Sequence, residues 1–154
     1  MRGKTPKRNI NPDLKYNSVT IAKFINQIMK RGKKSVAQKV VYNCFDEINK
    51  KTKKDALEVF DMAIKNVAPE VEVKGRRIGG GNYQIPVAVT GNRKTTLAFR
   101  WIINAAKSRK GAPMSQKLAD ELIAAYNKEG AAIKKRQDTY KMAEANRAFA
   151  HFAR

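Results

Sequence analysis

Apolar residues recur along most of this chain at helical spacing. In "SVTIAKFINQIMKRG" they fall at Ile21, Ile25 and Ile28, which predicts a first helix opening at Ser18 and stopping at Gly32. Ser35 is placed to cap a second helix with the stripe Val36, Val40, Cys44 and Ile48, running out into the polar "NKKTKK". Asp55 caps a third, where Leu57, Phe60, Ile64 and Val67 repeat until Pro69 forbids continuation. A fourth is predicted over 93–110, opened by Asn92 and closed by Gly111 and Pro113. Ser115 caps a fifth with Leu118, Leu122 and Ala125 inward, ended by Gly130. A sixth starts near Ala131 and runs to the C-terminus with Met142, Ala145, Phe149 and Phe152 on one stripe.

One stretch breaks the helical period. "VEVKGRRIGGGNYQIPVAV", over 71–89, alternates as a strand on both sides of three consecutive glycines and predicts a two-stranded β-ribbon between helices three and four. Pairing Val71 with Val89 and Val73 with Val87 gathers four valines at its base, sets Gly75 beside Ile85, and puts Arg77 opposite Tyr83 around a turn from Ile78 to Asn82. An isolated hairpin is marginal in water, so the valine base is expected to rest on helices while the end with Arg76, Arg77 and Tyr83 projects. The expected fold class is mainly α: one domain of six helices over 13–154 with the inserted ribbon, preceded by a basic arm over 1–12. That arm holds Arg2, Lys4, Lys7 and Arg8 with two prolines and can bury little apolar area, so it is expected to be flexible until a partner orders it.

Charge changes the picture most. The chain has 154 residues, with 33 Lys and Arg against 13 Asp and Glu, a formal net charge of +20. An excess this large repels itself in the compact state and points to a polyanionic partner, nucleic acid above all. Many of the cations suit the negative carboxyl ends of helices, as Lys30, Arg31, Lys50, Lys51 and Lys107 to Lys110 do. Others do not. Lys33, Lys34, Lys53, Lys54, Arg93 and Lys94 precede or open helices two, three and four, where a phosphate on the free N–H groups would remove the electrostatic conflict. Arg93, Arg100, Asn104 and Lys107 share one face of helix four. The ribbon adds Lys74, Arg76 and Arg77, the flat ring of Tyr83, and a glycine backbone that a sugar-phosphate chain can approach.

Other chemistry is poorly represented. Cys44, the only cysteine, cannot form an intramolecular disulfide and reads as a small core hydrophobe in a reducing compartment. Trp101 falls in the apolar "WIINAA" run and reads as core. His151, the only histidine, has no neighbouring nucleophile or ligand cluster and reads as a surface or docking residue. The three glycines lack the Lys of a phosphate-binding loop, and no acid and base pair is evident, so no enzyme, metal or cofactor is expected. No apolar run approaches the ~20 residues of a membrane-spanning helix, and no secretory leader is recognised, so no membrane partner is expected.

The blocks "NPDLKYNS", "AKFINQIMKRGKKSVAQKVVYNC", "VEVKGRRIGGGNYQIPV", "LAFRWIINAAKSR" and "KKRQDTYKMAEANRAFAH", in this order across nearly the whole chain, resemble the small-subunit ribosomal protein seven family in its bacterial and organellar form. The resemblance implies six helices with a ribbon between the third and fourth. It implies a structural constituent of the small subunit that binds the 3′ major domain of its ribosomal RNA and nucleates assembly of the head. It further implies contacts with small-subunit proteins nine and eleven, and a cytoplasmic or organellar ribosome as the location. The matching cations are Lys7, Arg8, Lys33, Lys34, Arg76, Arg77, Arg93 and Arg100, and the tip from Gly79 and Gly80 through Gly81, Asn82 and Tyr83 is expected near messenger RNA and the exit-site transfer RNA. Gly81-Asn82 at the tip, Gly91-Asn92 before helix four, and the ending "AFAHFAR" depart from the common pattern of the family. The competing reading is a DNA-bending architectural protein, but such arms carry an apolar or proline wedge at the tip, and here Pro86 stands lower down.

Overall fold

The computed structural model describes Gly3 and residues 9–153, without the side chain of residue 153. Arg2, Lys4, Lys7 and Arg8 of the expected arm lie outside the described residues. Among those described, six α-helices are joined by one two-stranded antiparallel ribbon between the third and fourth, so the chain is mainly α as expected. It divides into two compact units, 1–41 and 42–154.

The first unit holds α1 (Val19–Ile28) and the start of α2 (Lys34–Thr52). Ile21, Ala22, Phe24 and Ile25 of α1 are buried, as are Ala37 and Val41 of α2. The helix ends well before Gly32, with Met29 donating its N–H to the Ile25 carbonyl. Helix α2 begins at Lys34, so Ser35 sits inside its first turn rather than capping it. Its buried stripe is Ala37, Val41, Cys44, Phe45 and Ile48, and Val36 is 55% exposed. A strict i, i+4 run drifts about 40° per step around a 3.6-residue helix, so Val36 falls off the face that Ala37, Val41, Cys44 and Ile48 share.

The second unit carries the larger core. Helix α3 (Ala56–Val67) starts where Asp55 accepts the Leu57 N–H, and its buried residues, Ala56, Val59, Phe60, Ala63, Ile64 and Val67, repeat at helical spacing. Helices α4 (Gly91–Ser108) and α5 (Met114–Tyr126) pack on it. The ring of Phe60 stands edge-on to Phe45 of α2 at 5.4 Å between centroids and stacks on Phe99 of α4 at 6.4 Å. Cys44 is buried, and burial pushes its thiol pKa up, as expected of a core hydrophobe. Ser115 lies inside the first turn of α5, which Pro113 precedes, and Leu118, Leu122 and Ala125 point inward. Trp101 is only partly buried, at the margin of the core.

One buried carboxylate organises the end where α4 and α5 meet the helix that follows. Glu121 is fully buried; its Oε2 accepts from Arg109 Nε at 3.1 Å and Nη2 at 2.7 Å, and its Oε1 accepts the Ala132 N–H at 2.9 Å. It thereby ties the exit of α4 to the first turn of α6 (Ala131–Ala145). A side chain at Gly130, whose φ is +93°, would meet both Glu121 Oε1 and the Ala124 methyl at 3.0 Å. The sixth helix does not reach the C-terminus. Asn146 turns its side chain back to the Met142 carbonyl at 2.7 Å and ends α6, and a 3₁₀ helix, Arg147–Ala153, follows. Met142 and Ala145 are exposed, so the expected four-residue stripe is broken there.

Candidate nucleic-acid interface

The ribbon is built from β1 (Val71–Ile78) and β2 (Gly81–Ala88). Its register differs from the valine pairing by one residue: Val71 faces Ala88, Val73 faces Pro86, Gly75 faces Gln84, Arg76 faces Tyr83 and Arg77 faces Asn82. The cause lies at the turn. Ile78 pairs with Gly81, leaving Gly79 and Gly80 as a two-residue loop with φ of +55° and +90°. Adjacent positive φ values are what a tight hairpin with the right strand twist requires, and two glycines supply them. Val89 drops out of the strand but stays buried, and its N–H donates to the Glu70 carbonyl at 2.8 Å.

Glu72 is the electrostatic hub at the ribbon base. Its side chain is 10% exposed; Oε2 accepts from Arg93 Nε at 3.1 Å and Nη2 at 2.8 Å, and Oε1 lies 3.1 Å from Lys74 Nζ. Burial alone would raise its pKa. The hydrogen bonds and charges of Arg93 and Lys74 outweigh that and hold the carboxyl below its usual range. Lys94 reaches Glu70 at 4.0 Å. Arg93 and Lys94 thus secure the base of the ribbon to the opening of α4, while Lys74 is the carboxylate's second partner within β1; the Arg93 and Lys74 side chains keep about half their surface in solvent, 48% and 53%.

The far half of the ribbon does not project freely. The C-terminal 3₁₀ helix packs on β2, with Phe149 5.0 Å from the ring of Tyr83, and Arg76 Nη1 donates to the Phe152 carbonyl at 3.1 Å. His151 lies against Phe152 and its Nδ1 is 2.9 Å from the Ala148 carbonyl. This C-terminal contribution was not among the sequence candidates. The spacing of Phe149 and Phe152 signalled an apolar face, but a continued α6 hid where it docks. Arg77, Gly79, Gly80 and Asn82 remain exposed at the tip, with Tyr83 at 37% and Gly81 partly covered.

On α4, Arg100, Asn104 and Lys107 are exposed on the face the spacing predicts. Among the described residues, Arg77, Arg100 and Lys107 have no ion-pair partner. Neither α2 nor α4 has an acidic residue in its first turn. In the first unit, Lys33 and Lys34 stand exposed before and at the start of α2, as expected. Lys54 is different: its Nζ donates to the Tyr126 hydroxyl at 3.0 Å and lies 4.6 Å from that ring's centroid, while Asp55 and Glu58 already serve the α3 opening. No group of three or more His, Cys, Asp or Glu residues able to hold a metal occurs among the described residues, and no helix described is long and apolar enough to cross a membrane.

Fold and charge define a class: a mainly helical, strongly cationic protein whose inserted ribbon and fourth helix expose arginine and lysine. The family of ribosomal protein S7p/S5e matches residues 1–147. The chain is 56% identical over 151 residues to small ribosomal subunit protein uS7 of Thermotoga maritima, covering 98% of this chain and 97% of the relative. The protein of the same description from Fervidobacterium nodosum is 58% identical over 151 residues, with 98% and 97% covered, and that from Chloroflexus aggregans is 51% identical over 153 residues, with 99% and 98% covered. The chain belongs to the ribosomal protein S7p/S5e family, a family of structural RNA-binding proteins of the translation apparatus rather than of enzymes.

Proposed function

We propose that this chain is a structural protein of the small ribosomal subunit that binds its ribosomal RNA directly through α4, the ribbon tip and the openings of α2 and α4. The RNA bound is the 3′ major domain, and binding nucleates assembly of the head. The tip, Gly79 to Tyr83, lies near messenger RNA and the exit-site transfer RNA, and small-subunit proteins nine and eleven are neighbours. The observation that carries the reading is the set of exposed cations without an ion-pair partner among the described residues, Arg77 with Arg100 and Lys107, on a chain of net charge +20. Phosphates bound there neutralise charge that the protein itself leaves uncompensated.

Arg100→Glu with Lys107→Glu, and separately Arg77→Glu, are expected to weaken binding to a transcript of the 3′ major domain at least tenfold while the helical circular-dichroism signal is unchanged. These positions separate binding from folding better than Arg93, which also holds Glu72. Wild-type affinity in both variants would remove these surfaces from the interface. Equal affinity for duplex DNA and for the transcript would favour an architectural DNA-binding protein instead.

A further inference from the structure

A second cationic site lies away from the ribbon and α4. Lys65 and Asn66 in the last turn of α3, Lys128 after α5, and Ile133, Arg136 and Gln137 on α6 line a concavity of about 320 Å³. Three of the six carry positive charge and none is acidic. Ile133 is buried, while the amines of Lys65 and Lys128 belong to exposed residues.

Helix carboxyl ends attract cations, and two such ends meet here. The last carbonyls of α5, and that of Asn66 in α3, are already served. Asn66 Nδ2 donates to the Ala125 and Tyr126 carbonyls at 3.0 Å each, and the Asn66 carbonyl accepts from Arg136 Nη1. One amide and one guanidinium do this work, leaving both lysines in surplus. Arg136 Nε is buried and has no hydrogen-bond partner among the described residues, and its guanidinium stands over the Tyr140 ring, 5.4 Å from the centroid, which leaves its charge without an acidic partner beside the concavity. Lys128 also occupies a left-handed position, φ +62°, where glycine is the residue without steric cost.

We propose that Lys65, Lys128 and Arg136 form a phosphate-binding pocket that takes a backbone phosphodiester of RNA, at a contact separate from the one made by α4 and the ribbon. The proposal rests on the RNA-binding reading above. A phosphodiester fits the chemistry because two mobile ammonium groups and a fixed guanidinium can surround its oxygens, with the Asn66 and Gln137 amides at the wall. Occupation makes the protein bivalent, so that two segments of a folded RNA are held by one chain.

The test is lysine footprinting of the full chain by acylation and mass spectrometry, alone, with a transcript of the 3′ major domain, with inorganic pyrophosphate, and in the assembled small subunit. Lys65 and Lys128 are expected to lose reactivity several-fold with the transcript, alongside Lys107. Lys65→Gln with Lys128→Gln should lower the slope of log affinity against log salt by about one to two with unchanged helical content. Protection of Lys107 with Lys65 and Lys128 still reactive overturns the pocket and leaves the main RNA surface standing. Loss of protection at all three overturns the RNA-binding reading itself. Protection by pyrophosphate but not by the transcript marks a small-anion site, and protection only in the assembled subunit marks a protein neighbour; either overturns the proposal.

Discussion

Glu72 shows how one side chain links local chemistry to the placement of an element. Its carboxylate accepts from Arg93 and Lys74, and those partners hold its pKa down against the opposing effect of burial. A group with a depressed folded-state pKa stabilises the fold above its unfolded value, about 4.3 for Glu, and loses that contribution as pH falls through the folded value. Glu72→Gln is therefore expected to lower stability at pH 7 by about 1–2 kcal/mol, an amount reduced from that of a fully buried pair because Arg93 and Lys74 are half in water. The stability gap between the two proteins, measured by denaturant titration, should narrow as pH falls below about 4.3. A constant gap down to pH 3 would show that shape, not charge, makes the contribution. The pairing was not legible in the chain because Glu72 and Arg93 are 21 positions apart and meet only through ribbon and helix geometry. The Asp55 cap was legible, since it bonds two residues along.

At the scale of elements, apolar period and chain breakers were read correctly, whereas the caps expected at Ser35, Asn92 and Ser115 were not, because each of these residues lies inside the first turn of its helix. The six helices and the place of the ribbon follow from apolar period and from glycines and prolines, which constrain the backbone wherever they fall. The ribbon register and the C-terminal helix depended on competition. Clustering the valines was set against forming a two-residue turn, and the turn prevailed because Gly79 and Gly80 accept positive φ without the roughly 1–2 kcal/mol that an L side chain costs. Gly79→Ala with Gly80→Ala should thus loosen the tip while sparing the body. Amide exchange at 78–82 is expected to accelerate about tenfold or more, with exchange in α3 and α4 unchanged. Unchanged protection at the tip would mean the turn tolerates side chains. Likewise the apolar period promised helix through Phe152, and Asn146 ended it by bonding back to Met142. Of the candidate interface, the exposed face of α4 could be read from spacing alone, whereas the engagement of Arg76 by the Phe152 carbonyl needed the fold.

For the whole molecule, the net charge of +20 dominates behaviour in solution. If about six to ten phosphates are contacted, affinity for the RNA transcript should drop by ~10³-fold or more between about 50 and 200 mM salt. A nearly flat dependence, measured by filter binding or fluorescence anisotropy across that range, would remove the electrostatic basis of the proposed interface. The same charge pattern leaves the β finger in a particular mechanical state. It is fixed at its root by Glu72 with Arg93 and steadied further out by Phe149 and the Phe152 carbonyl, so it behaves as a propped beam rather than a cantilever. A force on its end is shared with the last residues of the chain, and bending it through a wide arc first requires those residues to let go.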